Sequence, residues 1–222
     1  MKELTNQSLF LNMDQTIAGE LFDQTTYPWE ILSLIKDFIL KKGPTLSEEE
    51  YDHPEEDIWI AKSATIAKTA TIIGPAIIGP ETEVRPGAFI RGNALIGSGC
   101  VVGNSTEIKN DILFNNVQVP HYNYVGDSIL GYKSHMGAGS ITSNVKSDKT
   151  NVTIKNGNEK IETGRKKIGA ILGDYVEVGC GTILNPGSVV GHHTNIYPLS
   201  MVRGYIKPES IYKKAGEIAE KR

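Results

Sequence analysis

An aliphatic residue returns at every sixth position between residues 60 and 108. Written in sixes from Ile60, the chain runs IAKSAT, IAKTAT, IIGPAI, IGPETE, VRPGAF, IRGNAL, IGSGCV, VGNSTE, IKNDIL. Ile or Val opens each six, and the fifth place is Ala, Thr or Cys until Ile112. The phase reappears at Leu130 and Met136, and again over Leu172, Val178, Leu184, Val190, Ile196 and Val202. A period of six fits neither a helix nor an alternating strand. A repeat this short builds a β-solenoid. Each six supplies one short strand and a turn, and three sides close a triangular coil. Coils then stack about 4.8 Å apart. The aliphatic position points inward, the small fifth position fits beside it, and Gly and Pro make the corners. Burial of the Ile and Val column is the main source of stability.

Three segments stand outside this prism. Residues 1–57 form an N-terminal arm in which a helix is expected around 28–42, with Pro28 near its start and Gly43 past its end. Residues 58–207 are the β-helix domain. Within it, 145–167 interrupts the repeat, and VTIKNGNEKIE reads as a protruding hairpin around Asn-Gly. Residues 208–222 are expected to form a short C-terminal helix.

The chain has 222 residues and a net charge of −3, which argues against general nucleic-acid binding. The most apolar run, residues 31–40, contains Lys36 and Asp37 and is too short to span a bilayer. MKELTNQSLF lacks the pattern of a signal peptide. Cys100 and Cys180 make neither a disulfide framework nor a zinc site. The expectation is a soluble cytoplasmic protein without nucleic-acid or membrane partners.

The rhythm stops at Pro120, within VPHYNYVGDSILG. A histidine there, His121, has the side chain most suited to general-base work near neutral pH. Its place at the loss of register lets the ring leave the wall. The run HYNYVGDSILG…MGAGSITSN, with RPGAFIRGNALIGSGCVVGNSTEIKN before it and GRKKIGAILG after it, resembles a known family. It is the acetyltransferase domain of the bifunctional UDP-N-acetylglucosamine pyrophosphorylase/glucosamine-1-phosphate N-acetyltransferases, with the archaeal sugar-phosphate enzymes most alike. The similarity covers about residues 58–207.

The resemblance implies a left-handed parallel β-helix of hexapeptide repeats, a homotrimer with sites between subunits, and acetyl transfer from acetyl-CoA to the amine of glucosamine 1-phosphate or galactosamine 1-phosphate. It makes His121 the catalytic base, Tyr124 and Asn144 sugar contacts, and Arg85 and Lys109 phosphate contacts. Ala138 becomes a backbone contact to the thioester beside Gly139, with Cys180 near the coenzyme channel. No metal is required for acyl transfer. Two positions depart from the bacterial pattern: His135 replaces Asn, and Thr150 replaces Lys, with Lys146, Lys149 and Lys155 as substitutes for that lysine. Residues 1–57 are too short for the relatives' nucleotidyltransferase domain and hold no glycine-rich loop, so no uridylyl transfer is expected of this chain.

Plainer readings stand beside each of these. His121 is also explained as a loop histidine bonded to backbone, Tyr124 and Asn144 as corner residues, Arg85 and Lys109 as solvated charges, and Cys180 as structural. The lysines of 145–167 suit a solvated loop as well as a flap over coenzyme A or sugar phosphate. A hexapeptide acyltransferase with another acceptor, or a non-catalytic sugar-nucleotide-binding or assembly module, remains an alternative.

Overall fold

The computed structural model describes residues 1–214 and 216–221. The expected parallel β-helix is the architecture of the chain. Its three walls are sheets of nine, seven and nine strands, whose parallel neighbours belong to successive coils. The first wall includes Ala76–Ile78, Ala94–Ile96, Asp111–Leu113 and Ile129–Leu130. The second includes Glu83–Val84, Val101–Asn104, Gln118–His121 and His135–Met136. The third includes Phe89–Arg91, Glu107–Lys109, Tyr124–Gly126 and Ile141–Thr142. Val84, Ile90, Ile96, Val102 and Ile108 fill the interior and are essentially inaccessible. Each such side chain contributes about 1.5–3 kcal/mol by leaving water.

The break in rhythm lies elsewhere than Pro120. Ile108 pairs with Ile90, eighteen residues earlier, but Leu113 pairs with Ile96, seventeen earlier. One residue is thus lost at the corner around Asn110, which has a positive φ of 59°. Leu113 takes the inward place and Phe114 turns outward. Val119 pairs with Val102, and Val125 with Ile108, in the new phase. Register is therefore kept through Gln118–His121, where His121 pairs with Asn104.

Phe114 explains why the slip is tolerated. It stacks on Phe10 at 5.0 Å and meets Phe22 edge-on at 5.2 Å, all three buried. Phe10 and Phe22 belong to the arm, which covers the first wall. The arm's expected helix is two, Pro28–Ile31 and Ile35–Lys42. The turn between them lets Trp29, Ile31, Leu32, Ile35, Phe38 and Ile39 all be buried, and the Leu32 carbonyl accepts from Asn110 Nδ2 at 3.3 Å. Asp174, fully buried, fastens the arm. Its Oδ2 accepts from Leu11 N (2.8 Å), Asn12 N (2.8 Å) and Asn12 Nδ2 (2.9 Å), while Oδ1 accepts from Tyr132 N (2.8 Å).

The C-terminal segment is not a helix. Ser210–Lys214 continues the second wall and Glu217–Glu220 folds back on it antiparallel. The reason is an unfilled last coil. Tyr212 pairs with Ile196 and is buried there, its hydroxyl donating to Met201 O at 2.9 Å. Gly216, at φ 80°, makes the turn. Residues 145–167 contain the Asn-Gly hairpin, Thr153–Asn156 with Glu159–Glu162. It lies back on the column instead of protruding: Val152 and Ile154 are buried, and a side chain at Gly187 would run into both. Among the described residues, no helix is long and apolar enough to cross a membrane.

Candidate functional site

His121 ends its strand with its side chain exposed on the second wall. The register Gln118↔His135↔Glu177, carried three residues on, places His121, Ala138 and Cys180 in one row on successive coils. Gly139 N donates to His121 O (3.0 Å), and Gly181 N to Ala138 O (2.9 Å), closing that row. All three row residues are exposed. Of the small-residue run, Gly137 N–H is taken by Val178 O (2.7 Å) and Gly139 N–H by His121 O. The Ala138 N–H has no hydrogen-bond partner among the described residues, so it is the donor open to a ligand.

The sequence pattern did not single out Asn123, which holds this corner. It is 3% exposed. Its Oδ1 accepts from His121 N (3.1 Å), and its Nδ2 donates to Gly137 O (2.9 Å) and Ser140 O (3.2 Å). One buried amide thus ties the His121 backbone to the loop carrying Ala138. Such a buried polar group fixes geometry because losing any partner leaves an unsatisfied group. Gly103 permits the same packing: a Cβ there would overlap the backbone of Pro120.

Around the corner, on the third wall, lies a second group. Asn144 Nδ2 donates to Tyr124 Oη (3.2 Å) and to Asp127 Oδ2 (2.6 Å). Lys109 Nζ reaches both oxygens of Asp127, at 3.2 and 3.0 Å, and Asn110 Nδ2 donates to its Oδ1 at 3.0 Å. Asp127 therefore organises Lys109, Asn110 and Asn144. Burial raises the Tyr124 phenol pKa, and the carboxylates of Asp111, Glu107 and Asp127 add to it. The hydroxyl stays protonated at neutral pH and can donate, while Asn144 keeps its carbonyl as an acceptor. Burial also lowers the Arg165 pKa, against the attraction of Asp127.

Arg85 joins neither group. It sits beside the strand Glu83–Val84 on the second wall and pairs with Glu83 at 3.0 Å. The cation one coil from Lys109 on the same wall is Arg91, paired with Glu107 at 2.5 Å. Arg91 stands eighteen residues before Lys109, and that full-coil interval was the signal for it. His135 faces outward on the second wall, with Nδ1 2.8 Å from Glu177 Oε2. Thr150 is held inside its own loop by Lys146 Nζ at 2.5 Å and Asp148 Oδ1 at 2.8 Å. Among the described residues no cluster of His, Cys, Asp and Glu is arranged to hold a metal.

Comparison with known proteins agrees with the resemblance in the sequence. The chain is 40% identical over 119 residues to the bifunctional protein GlmU of Methanococcus vannielii, covering 53% of this chain and 28% of that one. It is 33% identical over 98 residues to a bifunctional sugar-1-phosphate nucleotidylyltransferase/acetyltransferase of Sulfurisphaera tokodaii, covering 44% and 24%. It thus spans about a quarter of the length of these relatives. Among solved structures, a putative acetyltransferase of Bacillus cereus aligns over 74% of this chain and 77% of its own, at 15% identity and a TM-score of 0.40. The profile of the GMPPB C-terminal domain matches residues 72–206, more than half of the chain, and the protein belongs to that family.

Proposed function

We propose that this protein is an acetyl-CoA-dependent N-acyltransferase acting on an amino-sugar 1-phosphate, glucosamine 1-phosphate or galactosamine 1-phosphate, with His121 as general base. The observation that carries this reading is the row His121–Ala138–Cys180. It sets an exposed imidazole, an open backbone N–H and a small exposed thiol on successive coils, beside a wall bearing Tyr124, Asn144 and Lys109. The names of the archaeal relatives, which include a bifunctional sugar-1-phosphate nucleotidylyltransferase/acetyltransferase, support the same chemistry.

In this reading the His121 ring accepts a proton from the sugar amine as its nitrogen attacks the thioester carbonyl. The Ala138 N–H donates to the oxyanion that forms. The C–S bond then breaks, and the thiolate leaves with the proton His121 returns, giving free coenzyme A. Tyr124 donates to, and Asn144 accepts from, sugar hydroxyls. Lys109 and Arg91 meet the phosphate by charge-assisted bonds. Arg85 lies on the second wall beside Glu83, away from Lys109, and takes no part in this reading. Within one column the second and third walls diverge from their shared corner, so the base and the sugar contacts face different directions. Packing three columns as a homotrimer turns the second wall of one subunit toward the third wall of another and makes one crevice of the two.

A panel of acceptors separates this from its rivals. Purified protein with acetyl-CoA is expected to release free thiol with glucosamine 1-phosphate or galactosamine 1-phosphate, and much less with unphosphorylated glucosamine. No thiol release above background with any amino-sugar phosphate overturns the proposal.

A further inference from the structure

The hairpin that interrupts the repeat encloses a second feature. Between it and the last coils of the third wall lies a cavity of about 300 Å³, lined by Lys146, Lys155, Lys160 and Arg203, with Glu162 and Asn185. Lys155 and Lys160 are direct cross-strand partners in the hairpin. Like charges placed so oppose pairing of the strands. Neither they nor Arg203 has a carboxylate within 4.0 Å among the described residues. The lining carboxylate, Glu162, is engaged by Thr153 Oγ1 at 3.2 and 3.1 Å. Lys146 is partly neutralised by Asp148 at 3.4 Å.

Three cations without a carboxylate partner converge on one cavity from two elements, Lys155 and Lys160 from the hairpin and Arg203 from the coil, with Lys146 beside them. Lys155, Lys160 and Arg203 are exposed at the rim of this cavity, while the hairpin backbone is packed down, with the Lys155 carbonyl pressed against Gly204, where an added Cβ would lie 2.9 Å from it. The cavity is at the small end for a ligand pocket and suits a phosphate with part of its sugar, not a whole nucleotide cofactor. It is also near the candidate site. Ile141, Ile183 and Met201 are partners on successive coils, so Asn185 and Arg203 lie one and two coils beyond Ser143, roughly 5–10 Å along the column.

We infer that this cavity is a phosphate-ester subsite, with Lys155, Lys160 and Arg203 as its ligands. It receives the phosphorylated end of a molecule whose other end lies toward the Tyr124–Asn144 wall. The inference rests on the proposed acyl transfer for its source of phosphate ester, the 3′-phosphate end of coenzyme A, since Lys109 and Arg91 already take the phosphate of the sugar. Binding, not turnover, tests it. Isothermal titration with adenosine 3′,5′-bisphosphate, adenosine 5′-monophosphate and glucosamine 1-phosphate is run on the full chain and on Lys155→Gln/Lys160→Gln, Arg203→Gln and Lys155→Arg, with circular dichroism to verify the fold.

The double variant is expected to weaken at least one probe about tenfold or more, Arg203→Gln several-fold, and Lys155→Arg little, with the difference shrinking in high salt. Selective loss of the bisphosphate supports the coenzyme end; selective loss of the sugar phosphate overturns it and moves the acceptor phosphate away from Lys109 and Arg91. Wild-type affinity retained in both glutamine variants, or no binding of any probe to the wild type, overturns the subsite. Probe binding that depends on these cations in a protein without thiol release sinks the acyltransfer proposal and leaves the subsite standing. Thiol release with unchanged probe binding in the variants does the reverse.

Discussion

Replacing Asp174 with alanine should loosen the N-terminal arm from the column without touching the candidate site. The carboxylate accepts four hydrogen bonds at 2.8–2.9 Å, three from Leu11 and Asn12 in the arm and one from Tyr132 in the coil. Hydrogen bonds to a charged group are each worth about 1.5–3 kcal/mol when the partner is lost in a buried place. They do not sum, because the arm's edge can rehydrate once released. Removing one member of a buried charged network costs about 3–5 kcal/mol. For a chain of this size that lowers Tm by roughly 8–16 °C at 4 kcal/mol. Calorimetry measures the loss, and hydrogen exchange locates it: protection at residues 9–12 should fall far more than at 118–125. Asp174→Asn keeps one acceptor oxygen and should lose about half as much. A destabilisation under about 1 kcal/mol, with protection at residues 9–12 unchanged, would refute the view that this carboxylate fastens the arm.

Burial pushes the Cys100 thiol pKa up to about 12, whereas Cys180 is exposed. A disulfide reagent at pH 8 should therefore titrate one thiol per native chain and two after denaturation; rapid reaction of both in the native state would contradict the burial. Tyr124→Phe removes the hydroxyl held by Asn144 and should raise KM for the sugar phosphate about tenfold with stability changed by under about 1 kcal/mol; an unchanged KM in acceptor titrations argues against a sugar contact. Gly103→Ala must displace Pro120 and should cost about 3 kcal/mol or more by chemical denaturation. A near-neutral result would show that the backbones do not meet there.

The period of six carried the fold because an inward Ile or Val is required wherever the chain repeats a wall. The same rule misplaced the break. Phe114 is as apolar as Leu113, and only the arm packed outside makes it an outward residue. The C-terminal charges have helical spacing, yet the open last coil draws Ser210–Tyr212 into the wall, a tertiary demand that local pattern does not express. Within the candidate site, His121, Ala138 and Cys180 were legible through their motifs. Arg85 rested on its VRPG motif, which carries no information on which wall it occupies. The eighteen-residue coil, counted back from Lys109, puts Arg91 on the same wall as Lys109. Asn123 and Asp127 act through buried hydrogen bonds to neighbouring coils, and such partners are invisible until the coils are stacked.

In the proposed reaction the exposed imidazole at the corner of the column moves the proton. Steady-state thiol release by wild type and His121→Ala, each at saturating acetyl-CoA and amino-sugar phosphate, tests it most directly. The kcat is expected to fall about 10²–10⁴-fold while the Kd for acetyl-CoA, measured separately, stays within about threefold. A variant that keeps its kcat within about threefold of wild type contradicts that role.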